Sequence, residues 1–354
     1  MTTGTPLVTV LGASGFLGSA VTALLARRPV RLRAVSRRPY APPPAVTRAG
    51  PARLDIRTAD LTDRAALADA VAGSDAVIHL VTHRSAAGDW RTADGDAAAE
   101  RTNVTVMRDL VEILGARDRR RNGADAGGRG ARDRGEGPPP TVVFASTAGL
   151  AHHAGPPATT YERQKLAAER TLHAASASGS LHGLSLRLPT VHGHVEGGGP
   201  DRGVVTAMTR RALAGEPLTL WHDGTVRRDL LHVDDAARAF LAALDHAPAL
   251  AGRPWPVGSD RSRPLGEVFR TVVELVARHT GRPAVPVLTV EPPGGSTGTD
   301  FLDVEVDSSA FRAATGWRPR AALGDALERT VAALAAAATA TPRADISPKE
   351  GNHL

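Results

Sequence analysis

Tyr161 and Lys165 lie four residues apart in a segment typical of a helix, so their side chains share one helical face. A phenol has a pKa of about 10 and is a poor proton donor at neutral pH, but a nearby ammonium stabilises the phenolate and lowers that pKa. Thr147 ends a strand-like run fourteen residues before the tyrosine, where its hydroxyl could hydrogen-bond a substrate carbonyl oxygen. The three residues predict proton transfer to that oxygen.

A second motif with chemical meaning lies near the start of the chain, where three glycines spaced three apart follow the β-branched run 7–11. The first glycine permits a tight strand-to-helix turn, the second lets backbone amides approach a pyrophosphate, and the third lets the helix pack on the strand. A plain strand–turn–helix connection is the alternative. The predicted dinucleotide-binding turn comprises Gly12, Ser14, Gly15, Phe16, Leu17 and Gly18.

The end of the second predicted strand, Ser36-Arg37-Arg38, bears on the choice of dinucleotide. An acidic residue here would accept hydrogen bonds from the ribose hydroxyls of NAD, whereas arginines pair with the 2′-phosphate of NADP. The two arginines therefore favour NADPH as the cofactor, with NADH as the alternative. A solvated pair of loop arginines is the other interpretation of these residues.

The elements that must position these residues alternate between strand and helix. Apolar runs typical of buried strands occur at 75–81, 141–147 and 184–188, and helical patterns at 97–114 and 161–175 lie between them. Repeated βα units imply a parallel sheet covered on both faces, with ligands at the C-terminal strand ends. The predicted fold class is α/β, a Rossmann-type doubly wound parallel sheet with a smaller mixed α/β substrate lobe.

The chain divides into two predicted units and a tail. The dinucleotide-binding Rossmann domain is predicted to span residues 1–188 and to be rejoined by residues 229–260. The smaller lobe, formed by residues 189–228 and 261–335, is predicted to bind the substrate. The polar tail at 339–354 is predicted to be flexible.

The net charge of +6 raises the question of a nucleic-acid partner. Half of this charge lies in the segment 116–137, which holds seven arginines and four acidic residues. The segment 116–140 is rich in glycine and nearly free of apolar residues, so it predicts a disordered insertion. No aromatic residues are interleaved there to stack on bases, and we expect no nucleic-acid partner.

Other classes of protein and site are excluded by what the sequence lacks. The chain has no cysteine, which rules out disulfides and thiolate metal sites. It has no long apolar run and no leader pattern, so we expect a cytoplasmic protein without membrane contact. The histidine pairs at 152–153 and at 192 and 194 have no carboxylate at zinc-like spacing, and we expect no metal site.

Together these motifs resemble the extended short-chain dehydrogenase/reductase family, and within it the NAD-dependent epimerase/dehydratase group. The resemblance runs from residue 7 to about residue 335, interrupted by the segment 116–140. Its most specific stretch is Asp223-Gly-Thr-Val-Arg-Arg228-Asp229-Leu-Leu-His232-Val-Asp-Asp235. The other matching motifs are Gly12/Gly15/Gly18, Asp60-Leu61, His79-Leu80-Val81, Asn103, Ser146-Thr147, Tyr161/Lys165, the run from Arg187 to Gly193, and Gly316-Trp317-x-Pro319.

The resemblance implies further ligand contacts. The dinucleotide would contact, besides the glycine turn and the Ser36-Arg37-Arg38 run, residues Asp60, Leu61, Leu80, Val81, Asn103, Tyr161, Lys165 and Pro189. The substrate would contact Thr82, Thr147 and Arg228, and in this group the last of these holds the diphosphate of a sugar nucleotide. The family's second phosphate-binding arginine has no counterpart between residues 292 and 300.

Two of these residues have a second interpretation. Asp60 could equally be the N-cap of a helix over residues 64–71. Asn103 could hold a water in a proton relay or merely bond the backbone. His232 is expected to orient the turn around it rather than to perform chemistry.

Among the reactions of the group, the resemblance is closest to the ketoreductases that reduce the 4-keto group of nucleoside-diphosphate 6-deoxyhexoses, often for glycosylated natural products such as antibiotics. Dehydratases carry an acid and base directly after the threonine, where this chain has Ala148-Gly149. Epimerases retain NAD and usually carry an acidic residue at the end of the second strand. A consumable NADPH fits net reduction better.

For a ketoreductase of this group, the resemblance implies that Tyr161 donates the proton, Thr147 shares the same oxygen, and Lys165 lowers the phenol pKa and holds the nicotinamide ribose. A nucleotide-sugar 4-epimerase is the nearer alternative, and a non-catalytic NADP-binding redox sensor is an alternative of another class. Members of the family often form homodimers through the helices that hold Asn103 and Tyr161.

Overall fold

The computed structural model describes residues 4–42, 46, 50–83, 93–121, 138–152, 157–199, 201, 203–221, 223–292 and 298–340. The strands are β1 (Leu7–Leu11), β2 (Arg31–Ser36), β3 (Arg53–Thr58), β4 (Ala76–His79), β5 (Thr141–Thr147), β6 (His182–Leu188), β7 (Thr190–His192), β8 (Leu218–Leu220), β9 (Arg227–His232), β10 (Pro254–Pro256), β11 (Ser262–Pro264) and β12 (Val287–Thr289).

The helices of the described residues begin with α1, directly after the glycine turn. They are α1 (Phe16–Leu25), α2 (Arg64–Val71), α3 (Ala97–Glu100), α4 (Val106–Arg121), α5 (Gly149–His152), α6 (Thr160–Ala177), α7 (Val204–Ala214), α8 (Val233–Asp245), α9 (Ala247–Leu250), α10 (Leu265–Thr280), α11 (Ser309–Thr315) and α12 (Leu323–Ala340). A π-helical turn, Arg101–Thr105, joins α3 to α4, and a 3₁₀ turn spans Gly298–Phe301.

The main sheet has seven strands in the order β10-β6-β5-β4-β1-β2-β3, and every neighbouring pair is parallel. Two small sheets accompany it, β11-β9-β7 with mixed directions and the parallel pair β12-β8. The predicted α/β class, a parallel Rossmann sheet with a smaller mixed lobe, is confirmed. The strand order reverses between β1 and β4, so a ligand crevice opens at the C-terminal ends of these strands.

Apolar strands explain why this sheet lies in the middle of the protein. All residues of β1 and β4 are buried, as expected for strands covered on both faces. One apolar cluster packs α1 and α8 on one face through Val21, Leu25 and Phe240. The opposite face packs α4 and α6 through Met107 and Leu172. The catalytic candidates on α6 are thereby fixed against the strand ends.

The smaller lobe has an apolar cluster of its own. Helices α7, α10 and α12 contribute Val205, Phe269, Val272, Leu327 and Val331 to it. The helix α7 ends at Gly215, whose φ of 82° is the left-handed conformation that terminates a helix. Among the described residues, every helix is too short or too polar to cross a membrane.

Two predictions from the sequence need correction. The disordered insertion was predicted to start at residue 116, but α4 continues to Arg121. This continuation is consistent with the good helix propensity of arginine. Residues 122–137 of that segment and residues 341–354 of the predicted tail lie outside the described residues. The N-cap of α2 is Asp63 and not Asp60, since the Asp63 carboxylate accepts hydrogen bonds from the amides of Ala65 and Ala66.

Candidate active site

The glycine turn between β1 and α1 is held tightly against the neighbouring strands. The amides of Gly12 and Ala13 both donate to the carbonyl of Val35, at 2.9 and 3.0 Å. Gly12 has a φ of 88°, and a Cβ there would lie 3.3 Å from the carbonyl carbon of Leu80. A glycine is therefore required where β1 meets the segment that follows β4.

The N terminus of α1 fits a pyrophosphate. A Cβ at Gly18 would overlap the carbonyl oxygen of Gly12, so only a glycine lets the helix approach the strand this closely. The first turn of α1 contains no acidic residue, and its N-cap, Gly15, places no side chain over the first amides. This open, positive helix end is the usual partner of a dinucleotide phosphate.

A glycine strap, which we define as residues 197–199, lies on this turn and was not predicted from the sequence. The amide of Gly199 donates to the hydroxyl of Ser19 at 3.0 Å. A Cβ on Gly199 would lie 2.7 Å from the carbonyl carbon of Gly15 and 2.8 Å from the nitrogen of Phe16. The run of three glycines is the one local signal that could have indicated this approach of two backbones.

The end of β2 presents two arginines to solvent. The Ser36 side chain is buried and its hydroxyl donates to the carbonyl of Arg38 at 2.7 Å, so it shapes the turn, while Arg37 and Arg38 are exposed. Hydrogen bonds from Thr62 lower the pKa of Asp60, and the charges of Arg37 and Arg101 lower it further. Arg101 is therefore a third cation at this edge, which the sequence did not predict.

Lys165 is the most constrained of the catalytic candidates. It is 3% exposed, and its Nζ donates to the carbonyl of Ala145 at 2.9 Å and lies 4.6 Å from the centroid of the Phe144 ring. Burial lowers its pKa to about 8, and the nearby Glu169 carboxylate opposes that shift. The Nζ lies 5.6 Å from the centroid of the Tyr161 ring, so the predicted pair is brought together.

Local hydrogen bonds fix the start of α6, where Tyr161 lies. The Thr159 hydroxyl accepts from the Glu162 amide at 3.2 Å, and the Glu162 carboxylate accepts from the Thr159 amide at 3.1 Å. This reciprocal pair is a capping box, which satisfies two otherwise unpaired amides and sets the direction of the helix. Tyr161 is thereby held in the first turn.

A buried ion pair fixes the middle of α6 against β6. The Glu169 carboxylate is 1% exposed and accepts two hydrogen bonds from Arg187, from Nε at 3.0 Å and from Nη2 at 2.6 Å. The Ser185 hydroxyl also donates to Glu169, at 3.1 Å. The bidentate geometry orients the helix face that carries Lys165.

Thr147 and the neighbouring predicted contacts lie at the C-terminal strand ends. Thr147 is the last residue of β5, in register with Leu188 of β6, and its Oγ1 accepts from the Gly149 amide at 3.3 Å. Pro189 directly follows β6, and Leu80 and Val81 follow β4 in the same way. These ends border the crevice in which a dinucleotide would lie.

Asn103 lies in the π-helical turn, and its side chain forms hydrogen bonds through both its oxygen and its amide nitrogen. Its Oδ1 accepts from the His83 amide at 2.8 Å and from the Thr82 hydroxyl at 3.3 Å. Its amide group donates to Gln164 Oε1 at 2.7 Å, next to Lys165 in sequence. Asn103 thus bonds the backbone, as one of its two interpretations required, and Thr82 is oriented by it. Gln164 is a connection that sequence reasoning missed.

Arg228, expected to hold a diphosphate, is bonded to the backbone of the lobe. Its Nη1 donates to the carbonyls of Arg227 and Leu302, and its Nη2 donates to the carbonyl of Asp300 at 2.7 Å. Burial lowers the pKa of its guanidinium, while the carboxylates of Asp300 and Asp303 oppose that shift. Part of its hydrogen-bonding capacity is therefore already used.

Two histidines of the lobe, His192 and His232, contact each other. His232 is the N-cap of α8, and its Nδ1 accepts from the Asp234 amide at 3.3 Å. His192 packs edge-on against it, with the ring centroids 5.7 Å apart. Within the described ranges, no group of three or more His, Asp or Glu side chains is arranged to hold a metal ion.

Comparisons with known proteins agree with this geometry. The dTDP-6-deoxy-L-talose 4-dehydrogenase (NAD(P)+) of Kitasatospora kifunensis is 26% identical over 325 residues, 90% of this chain and 93% of the relative. The 2′-dehydrokanamycin reductase of Streptomyces kanamyceticus is 36% identical over 139 residues, 38% of this chain and 37% of the relative. This chain spans about half, or less, of the length of several curated relatives that it matches.

The fold also matches a solved structure. The crystal structure of UDP-glucose 4-epimerase with UDP-glucose from Thermotoga maritima superposes with a TM-score of 0.71 at 21% identity, covering 95% of this chain and all of the other. The profile of the NAD dependent epimerase/dehydratase family matches residues 8–258, which includes the glycine turn and both catalytic candidates on α6. The chain therefore belongs to the NAD-dependent epimerase/dehydratase family of extended short-chain dehydrogenases/reductases.

Proposed function

We propose that the protein reduces the 4-keto group of a nucleoside-diphosphate 4-keto-6-deoxyhexose and consumes NADPH. The observation that carries this proposal is the end of β2, where Arg37 and Arg38 are exposed and no acidic side chain follows Ser36. Two guanidinium groups favour a 2′-phosphate, which an acidic residue would repel. A consumable NADPH fits net reduction better than an epimerisation that returns its cofactor unchanged.

The dinucleotide would be held by the amides at the start of α1, by Arg37 and Arg38, and by the ammonium of Lys165. When bound, NADPH supplies the hydride that a ketone reduction needs. Tyr161 would donate its phenolic proton to the carbonyl oxygen, and Thr147 would hydrogen-bond the same oxygen. The Lys165 ammonium would stabilise the resulting phenolate through its charge, since it lies near the same ring.

The relatives support a sugar substrate with chemistry at C4. The relative that matches along nearly the whole chain is named as a 4-dehydrogenase of dTDP-6-deoxy-L-talose that uses NAD(P)+. This name combines a nucleoside-diphosphate 6-deoxyhexose, oxidoreduction at C4 and tolerance of either dinucleotide. A dTDP-4-keto-6-deoxyhexose is therefore the first substrate to test.

The decisive experiment follows the absorbance of reduced nicotinamide while dTDP-4-keto-6-deoxyhexoses are added to the purified protein, with NADPH and NADH compared. We expect NADPH to be oxidised in a stoichiometric amount as the keto sugar is reduced. In Tyr161→Phe we expect the rate of this oxidation to fall by about a hundredfold or more. A wild-type rate in Tyr161→Phe would refute the assigned mechanism. Formation of an epimer without cofactor consumption would instead establish the 4-epimerase, and tight NADPH binding without turnover would establish the redox sensor.

A keto sugar without a diphosphate is the second candidate substrate. Arg228 already donates to the carbonyls of Asp300 and Leu302, and residues 283–311 contain no lysine or arginine. The partial match to 2′-dehydrokanamycin reductase points to a keto aminoglycoside as such a substrate. Adding 2′-dehydrokanamycin to the same assay separates the two candidates, because only one substrate class is expected to be reduced.

A further inference from the structure

His79 is a buried polar side chain without a role in the proposed reaction. It ends β4, in register with Leu11 of β1 and Phe144 of β5, and is 1% exposed. Neither ring nitrogen has a hydrogen-bond partner among the described residues. An unsatisfied buried donor and acceptor destabilise the folded protein, whereas a phenylalanine or leucine would fill the same space without that loss. A histidine at this position therefore needs an explanation.

The neighbours of His79 lead directly to Lys165. The imidazole contacts the Phe144 ring edge-on, with centroids 5.4 Å apart, and the Lys165 Nζ lies 4.6 Å from the centroid of that ring. Burial lowers the pKa of His79 to about 3, and the charge of Lys165 contributes to this shift. Between about pH 3 and about pH 8 the imidazole is therefore neutral while the lysine is charged, and one ring nitrogen can accept a hydrogen bond.

The ammonium of Lys165 has donors to offer. It carries three N–H groups, of which one donates to the carbonyl of Ala145. The carboxylate of Glu169, on the same helix, raises the pKa of Lys165 through its negative charge. That carboxylate is already paired with Arg187 of β6. Tyr161 of α6 and His79 of β4 are the other titratable groups that lie near it among the described residues. A neutral acceptor on the β4 side would help to keep a proton on the lysine.

We propose that His79 is a positioning residue, whose neutral imidazole accepts a hydrogen bond from one bound water that the Lys165 ammonium also binds, and so holds the ammonium beside Tyr161. This inference rests on the proposed function only in that Lys165 is the residue that activates the tyrosine. The proposed water bridge involves only groups of the resting protein. It can be measured without a substrate.

The composition of the chain makes the measurement direct, because Lys165 and Lys349 are its only lysines. Protein labelled with ¹³C at lysine Cε gives two resonances, and Lys349→Arg removes one of them. The pH titration of the remaining resonance reports the pKa of Lys165. The same titration is made for His79→Phe, His79→Leu and His79→Gln. Val77→Ala is the matched control, because it disturbs packing on the same face of β4 without removing a polar group.

In His79→Phe and His79→Leu, we expect the pKa of Lys165 to fall by about one unit, since the ammonium loses an acceptor while it stays buried. His79→Gln, which retains an acceptor, is expected to stay near the wild-type value, as is Val77→Ala. His79→Phe is also expected to unfold at a temperature no lower than the wild type. The inference is wrong if the pKa is unchanged in both apolar variants, or if His79→Gln shifts it equally.

These results are independent of the substrate question. A purely structural role for His79 predicts altered thermal unfolding with an unchanged Lys165 titration, and it would overturn the inference. A shifted titration in a protein that reduces no keto sugar would support the inference and refute the proposed function. With an active enzyme, the alkaline limb of the kcat/KM profile is expected to move to lower pH in His79→Phe and to recover in His79→Gln.

Discussion

The Nζ of Lys165 lies 5.6 Å from the centroid of the Tyr161 ring while donating to the carbonyl of Ala145 at the end of β5. The lysine therefore joins the sheet to the first turn of α6, and its charge is held close to the phenol. Since the ammonium is buried, its electrostatic effect on the phenolate is larger than it would be in water.

The two tyrosines of the chain are predicted to titrate separately. Burial raises the pKa of Tyr40 to about 12, whereas the Lys165 ammonium is expected to lower that of Tyr161 below its ordinary value. The near-ultraviolet absorbance of phenolate should thus rise in two steps as the pH increases. Tyr161→Phe is expected to remove the earlier step, and Tyr40→Phe the later one. Loss of the later step in Tyr161→Phe would contradict the assignment.

Replacing Lys165 with methionine is predicted to separate stability from activity. The folded pKa of about 8 lies below the ordinary 10.5, so burial of the charged lysine destabilises the fold below about pH 8, and this cost disappears as the pH rises from 8 to 10.5. Lys165→Met should be more stable than the wild type at neutral pH by roughly 1–3 kcal/mol, with the difference shrinking across that window. Denaturant unfolding at several pH values measures this difference.

The activity of that variant supplies the second half of the test. Without the ammonium, the turnover number is expected to fall by about a hundredfold or more. Lys349→Arg, which lies outside the described residues, serves as the control and should retain wild-type turnover. A fully active Lys165→Met would remove the lysine from the mechanism.

Specificity for NADPH is predicted to depend on Arg37 and Arg38. Replacing both with alanine should raise KM for NADPH by about tenfold or more and leave KM for NADH nearly unchanged, since only the first dinucleotide carries a 2′-phosphate. Arg31→Ala, an exposed arginine at the other end of β2, is the matched control. An equal effect on both dinucleotides would argue against a 2′-phosphate site.

The buried pair of Glu169 and Arg187 is predicted to stabilise α6. Glu169→Gln leaves the partly buried guanidinium of Arg187 without a charged partner and should lower the free energy of unfolding by about 1–3 kcal/mol. It should also lower the pKa of Lys165, because Glu169 favours the charged lysine. Combining it with Arg187→Met is expected to restore much of the stability. Denaturant titrations of the single and double variants test this, and additive losses would contradict a direct pair.

Contact between the glycine strap and the α1 turn predicts sensitivity to a single methyl group. In Gly199→Ala the new Cβ would overlap the Gly15–Phe16 peptide, so the strap must move away from the turn. We expect NADPH to bind about tenfold more weakly, a loss typical of overpacking. Gly324→Ala, where no atom lies within 4 Å of the new Cβ, should bind normally. Fluorescence titration with NADPH measures both.

Local sequence signals were sufficient for most of the framework. The strand Thr141–Thr147 has the predicted bounds, because a run of apolar residues is encoded locally. Asp60 and Asp63 illustrate the limit, since both suit an N-cap and only the folded turn distinguishes them.

Contacts between distant segments were beyond such signals. The hydrogen bond from Asn103 to Gln164 joins residues 61 positions apart, and the one from Gly199 to Ser19 joins residues 180 apart. Neither pair has a pattern that a single sequence reveals, because both depend on how helices pack after the sheet has formed. The hydrogen bond from Arg228 to the carbonyl of Asp300 could not be predicted from the sequence for the same reason.

The π-helical turn at Arg101–Thr105 makes the length of this segment critical. A π turn contains one residue more than the α-helix around it, so deleting a single residue there would restore regular helix with the flanking parts near their present register, and the change would fall on the residues of the turn itself. Asn103 would then leave Gln164, and the segment after β4 would lose its anchor. Residues of this turn can therefore be substituted more easily than removed, because shortening the turn would separate the segment after β4 from α6.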